Sequence, residues 1–204
     1  MKKLIRKSVW YFLIVLTVCA GIAVKNVSYA ASEQTTDDKM YKVDVYSEGY
    51  VGIYQYLGTE SKVTIPSKVI VGGRAYLVTR LSCLENFAPN ANVKDVYLPA
   101  SINKYDSGIF NGVGTLENIY VYQTDPYYNF LFDKDGILYA NVGSNDIVLV
   151  KYPEGKAGTQ YVLPNEVNRL NFCFMGKLNL KKIILHENVE SVGGGCKKSC
   201  VYEL

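Results

Sequence analysis

The chain has 204 residues and a formal charge of +3, but residues 1–30 hold five of its 22 Lys and Arg and none of its 19 Asp and Glu. The other 174 residues therefore carry 17 basic against 19 acidic side chains, net −2, which removes the electrostatic case for nucleic acid or an anionic membrane as partner. That length suffices for one domain with a sizeable core.

Residues 1–30 are a targeting segment. "MKKLIRK" is basic, "VWYFLIVLTVCAGIAV" is apolar, and "VSYA" places small residues at Ser28 and Ala30, so cleavage is expected after Ala30. A membrane anchor, the alternative, needs roughly 20 apolar residues. A lipoprotein site at Cys19 in "LTVC" is opposed by Val18, which stands where a small residue is wanted. The mature protein is expected to be secreted or held at the cell surface, with no membrane contact after cleavage. Residues 31–40 are expected to be a disordered linker.

From residue 41 onward the strongest signal is internal repetition. "VTIP", "VYLP", "IYVY", "YVLP" and "IILH" share an apolar–x–apolar core. Leu98 and Val121 are 23 residues apart, Leu163 and Leu185 are 22 apart, and Ile65 and Leu98 are 33 apart. Val121 to Leu163 is 42, which leaves room for one inserted unit. Periods of about 20–29 residues with apolar punctuation predict a repeat solenoid of leucine-rich type, built from short parallel β-strands, mostly strand and loop with little helix.

Each unit reads alike. A short β-branched strand alternates its side chains inward and outward. Pro66, Pro99 and Pro164 then end it where a missing N–H costs no ladder bond. His186, the single histidine, fills the same slot and is read as structural. Three residues later comes a second apolar residue (Val69, Ile102, Val167, Val189), then a loop aromatic (Phe87, Phe110, Phe174), then Val93, Leu116 or Leu180 before the next strand.

Within the long interval, "FDKDGILYA" carries Asp135-Gly136 between "NFLF" and "ILYA", a hairpin-turn signal. An inserted β-hairpin is expected near residues 126–153. D-x-D-G also suggests a calcium loop, but such a loop needs about twelve residues, a third oxygen ligand and a closing Glu. No metal or cofactor is expected. Four cysteines follow the signal segment: Cys83, Cys173, Cys196 and Cys200. They read either as buried apolar residues or, for Cys196 and Cys200, as a local pair, and the sequence leaves both open. After "ESVGGG" the chain ends in "CKKSCVYEL", so the last rung is expected to fray or to self-associate end on with another copy.

"IPSKV…VTRL…NF…NVKDVYLPASINKYDSGIFNGVGTLENIYV" resembles the BspA-type leucine-rich repeat family of secreted and surface bacterial proteins. "YSEGYVGIYQYLGTESKVTIPSKV…GGRAYLVTRL" is similar to that family's entry segment, and "FDKDGILYA…LVKYPEGKAGTQYVLPNEV" to its inserted hairpin, so the resemblance covers residues 41–204. Ser82, Asp106 and Asn171 depart from the family's loop glycine, which only Gly193 keeps. Asn86-Phe87, Ile109-Phe110 and Cys173-Phe174 replace its usual Ala-Phe pair. The resemblance implies surface adhesion or host-matrix contact.

If Val96 and Leu98 point inward, Tyr97 points out, and Thr64, Tyr120, Val162 and Ile184 join it in one column at about 4.8 Å per rung. Lys62, Asp95, Asn118, Gln160 and Lys182 form a second column. Tyr122, Tyr127 and Tyr128 are placed near the first. The candidate ligand-binding residues are Tyr97, Tyr120, Tyr122, Val162, Ile184, Asp95, Asn118 and Lys182, since tyrosine supplies contact area at low entropy cost. The expected function is extracellular binding of a protein or glycan, with a surface assembly subunit as the alternative. A polysaccharide-acting enzyme ranks below both. It needs paired carboxylates or a calcium cluster with a basic group on one face, and the outward columns offer a single acid, Asp95. No catalytic residue is assigned.

Overall fold

Two-residue alternation is written into every rung. In "VTI" Val63 and Ile65 are buried while Thr64 is exposed, and Val96 and Leu98 are fully buried on either side of half-exposed Tyr97. One side of each strand thus leaves water for a shared core while the other stays outside. The computed structural model describes residues 32–82, 87–122, 130–170, 173, 174, 176, 179–193 and 201–203. The signal segment and Cys83, Asn86, Tyr127, Tyr128, Asn171, Cys196 and Cys200 lie outside the described residues.

The strands of the first half are β1 (Ser32–Thr35), β2 (Tyr41–Val45), β3 (Tyr50–Tyr56), β4 (Lys62–Thr64), β5 (Lys68–Val71), β6 (Arg74–Leu81), β7 (Asp95–Pro99), β8 (Lys104–Tyr105) and β9 (Asn118–Tyr122). Those of the second are β10 (Leu131–Lys134), β11 (Ile137–Gly143), β12 (Asp146–Lys151), β13 (Gln160–Val162), β14 (Arg169–Leu170), β15 (Lys182–Ile184), β16 (Ser191–Val192) and β17 (Val201–Glu203). The chain is a β-solenoid, with no helix among the described residues. Its ladder face consists of two parallel three-stranded sheets, β4-β7-β9 and β13-β15-β17. Two further sheets, β1-β2-β3-β6-β5 with β8 on β6, and β10-β11-β12-β14-β16, complete the wall.

The single column of outward residues is therefore corrected to two short ones. The insertion separates them: β9 is followed by the turn of β10 and β11, not by β13. Ile119 N–H donates to the Gly136 carbonyl at 3.0 Å, and Val121 N–H donates to Asp133 Oδ1 at 2.7 Å. The insertion is also more than a hairpin, because β10, β11 and β12 form an antiparallel meander and β12 then pairs in parallel with β14. Its first turn holds Asp135 at φ 53° and Gly136 at φ 72°. A side chain at Gly136 would in addition strike Asn118, so the turn and the last rung of the first ladder fit only around glycine.

One further expectation is corrected. The linker predicted for residues 31–40 contains β1, antiparallel to β2 in the register Ser32↔Val45 to Thr35↔Lys42. Behind it, Asp37 accepts the Gly72 and Gly73 N–H groups at 2.7 and 2.8 Å, and Thr36 is buried. These partners, 35 residues away, order a stretch whose composition alone is polar. At the other end of the second ladder, β17 adds a rung that pairs along β15 with Ile183 opposite Tyr202.

The interior is two apolar clusters. The first gathers Val63, Ile65, Val96, Leu98, Ile119 and their neighbours from Tyr41 to Val150; the second gathers Tyr139, Tyr152, Leu163, Leu170, Phe174 and Ile183. Between them lies a buried ion pair. Lys151 Nζ is 3.6 Å from Glu154 Oε1, and the two side chains are 1% and 3% exposed. Lys151 also donates to Asn111 Oδ1 at 2.8 Å, and Glu154 accepts the Gly112 N–H at 2.9 Å. Each charge is thus satisfied across the boundary, as burial of an ion requires.

Candidate binding face

On the first ladder the register is Lys62↔Asp95↔Asn118 and Thr64↔Tyr97↔Tyr120. The Tyr97 and Tyr120 rings stack with centroids 5.0 Å apart at 29°, and Lys62 Nζ sits 4.7 Å from the centre of the Tyr97 ring. The column thus runs cation, ring, ring, with ring faces turned toward each other and edges turned outward. Burial, with Asp95 as the next cause, raises the Tyr120 hydroxyl above its ordinary pKa.

The neighbouring row is bonded internally. Asn118 Nδ2 donates to Asp95 Oδ1 at 2.9 Å, and Lys156 Nζ donates to Asn118 Oδ1 at 3.2 Å. Lys156, its pKa lowered by burial, thereby extends the bonded row Asp95–Asn118 by one side chain. Sequence reasoning missed it because it lies in the loop before β13, outside every repeat position.

Tyr122 is not a free member of the column. Its hydroxyl donates to the Ile65 carbonyl at 2.6 Å, tying β9 to the end of the first rung, and burial raises its pKa. On the second ladder Val162 faces Ile184 and Gln160 faces Lys182, so Val162, Ile184 and Lys182 are brought together with one another but not with Tyr97. Val162 is 59% exposed, the most open large apolar side chain among the described residues. His186 donates through Nε2 to the Pro164 carbonyl at 3.0 Å and accepts the Asn188 N–H at Nδ1 at 3.3 Å, so main chain occupies both ring nitrogens. Asp133, the first acid of the D-x-D-G motif, spends Oδ1 on β9.

Behind the second ladder the Tyr139 and Tyr161 hydroxyls meet at 2.6 Å. Burial raises Tyr139 to about 12, and burial followed by the Tyr139 charge raises Tyr161 further. Unfolded tyrosine ionises near pH 10. With the folded pKa above the unfolded one, the stabilisation from this pair is complete below about pH 10 and is lost as pH climbs toward 12. Melting temperature is accordingly expected to drop over that interval, and to drop less in a Tyr139→Phe/Tyr161→Phe variant.

This geometry defines a β-solenoid with an aromatic ladder face. No family model matches the chain, and no curated protein matches it. Among solved structures it is similar to a leucine-rich cell surface protein from Faecalibacterium prausnitzii, at 13% identity over 83% of this chain and 74% of that one, with a TM-score of 0.38. It is likewise similar to the pneumococcal vaccine antigen PcpA, at 13% identity, 87% and 71% coverage and a TM-score of 0.36. A leucine-rich repeat protein from Bacteroides ovatus shares 15% identity over 86% of this chain and 40% of that one, with a TM-score of 0.44.

Proposed function

We propose that the protein is an exported, non-enzymatic binding protein that recognises an extracellular protein through its first ladder. The observation that carries this reading is the Lys62–Tyr97–Tyr120 stack, held in register on an outer surface. Ordered aromatics whose rotamers are already fixed lose little entropy on binding.

The same stack favours a protein over a glycan. A sugar ring packs its C–H groups on an open aromatic face, whereas here Tyr97 lies between Lys62 and Tyr120. The groups that would bond sugar hydroxyls, Asp95 and Asn118, are already bonded to each other. What remains outward is ring edge, hydroxyl and the Lys62 stem, which suit the mixed surface of a folded partner. Export rests on the signal pattern of residues 1–30.

The test is a bead-based screen of the exported chain against matrix proteins and glycans. A Tyr97→Ala/Tyr120→Ala variant is expected to lose at least about 2 kcal/mol of binding, the scale of aromatic hot spots. Unchanged binding in that variant removes the ladder as the site.

A further inference from the structure

The insertion interrupts the ladder at two strand edges, those of β9 and β13, and it treats them differently. On β9 the N–H groups of Ile119 and Val121 are capped by Gly136 and Asp133. On β13, Leu163 N–H donates to the Ile184 carbonyl, so alternation turns the main-chain groups of Tyr161 and Leu163 to β15 and those of Gln160 and Val162 the other way. No described residue pairs with the main chain of Gln160 or Val162 on that side, where β13 has no strand neighbour. An open strand edge within a ladder is a template for a further strand.

A groove of about 440 Å³ lies along this edge, between β13 with the residues to Glu166 and the turn of the insertion. That is within the roughly 300–1,000 Å³ usual for ligand pockets. Tyr139 and Ile137 line it on the insertion side, and exposed Val162 stands on the other. Lys134 and Glu166 pair across it at 2.9 Å, with that bond holding the Glu166 carboxyl below its usual pKa. The remaining acid on the wall, Asp135, makes no ion pair with a described residue; Lys156 feels its field but bonds to Asn118. Its lining side chains thus include two carboxylates against one ammonium, with Lys156 beyond the wall partly offsetting Asp135, and the unpaired main-chain groups of Val162 stand along it.

We propose that this groove takes an extended peptide segment of the partner, which adds as a strand to the edge of β13 and places a basic side chain against Asp135. Main-chain bonds to Gln160 and Val162 give affinity, and the charge at Asp135 gives selectivity. The inference rests on the protein-binding reading above but uses a different part of the ladder face, so the two fail separately.

The experiment pans a displayed library of random twelve-residue peptides on the exported protein and measures enriched peptides by titration calorimetry. Enriched sequences are expected to be basic. Val162→Pro removes the groove-facing N–H without touching a β13–β15 bond, and should weaken binding at least about tenfold, the worth of one or two hydrogen bonds. Val162→Thr keeps that N–H and should bind within about twofold. Asp135→Asn, which tolerates the positive φ, should cost about two- to fivefold. Protection of the Leu163 amide in hydrogen exchange checks that the Val162→Pro ladder is intact. No enrichment over the Val162→Pro protein, or equal binding to it, overturns the inference. If Tyr97→Ala/Tyr120→Ala abolishes matrix-protein binding while Val162→Pro leaves it unchanged, the strand-addition site falls and the ladder reading stands.

Discussion

Glu154→Gln is expected to lower the free energy of unfolding by about 3–5 kcal/mol, the cost of leaving a buried charge without its counter-ion. The amide can still accept the Gly112 N–H, so the change removes only the negative charge facing the Lys151 ammonium, which is 1% exposed in the folded protein and also bonds to Asn111. Lys151→Met should cost a similar amount by removing the ammonium beside the buried Glu154 carboxylate. The double variant Lys151→Met/Glu154→Met should be clearly less destabilised than the two losses added together, because no charge then remains buried. Urea unfolding of the four proteins measures the coupling. If Glu154→Gln shifts the midpoint by less than a surface substitution does, the pair is solvated and its structural role is rejected. Gly176→Ala tests the same contact independently: a Cβ there would overlap the Glu154 carboxylate, and Gly176 has φ 111°.

How much of this was legible in the sequence depends on whether the information is local. The rungs were, because alternation within three residues is enough to bury Val96 and Leu98 and expose Tyr97. The Tyr97–Tyr120 pairing was also legible, since equal spacing puts equal positions in register. The split was not. Forty-two residues between Val121 and Leu163 look the same on paper whether the insertion hangs off the ladder or cuts through it, and bonds such as Asp133 to Val121 decide the matter. The hydroxyl bond of Tyr122 was not legible for the same reason. Alternation assigns it outward, but a carbonyl 57 residues earlier in the chain accepts its hydroxyl. β1 and β17 were missed because each is ordered by the strand it pairs with and not by an apolar pattern of its own.

Phe174→Ala should destabilise the second half of the solenoid by about 3–5 kcal/mol while leaving the first half nearly untouched. Phe174 is fully buried, packs against Tyr152 and Tyr161 with ring centroids at 5.8 and 6.3 Å, and belongs to the second cluster alone. Truncating such a ring removes its transfer free energy and leaves a cavity that a stacked rung cannot close. In a solenoid each unit is held mainly by its neighbours, so the loss should stay near its source unless the two clusters are rigidly coupled. Native-state hydrogen exchange reads this residue by residue. Amides of β13 and β15 should exchange roughly a hundredfold or more faster, as that free energy converts, while those of β7 and β9 keep their rates. Equal acceleration on both ladders would mean that the solenoid opens as one unit, with the Lys151–Glu154 junction transmitting the loss. In that case Phe174→Ala combined with Glu154→Gln should restore the difference between the halves, since the second change removes the ion pair that links them.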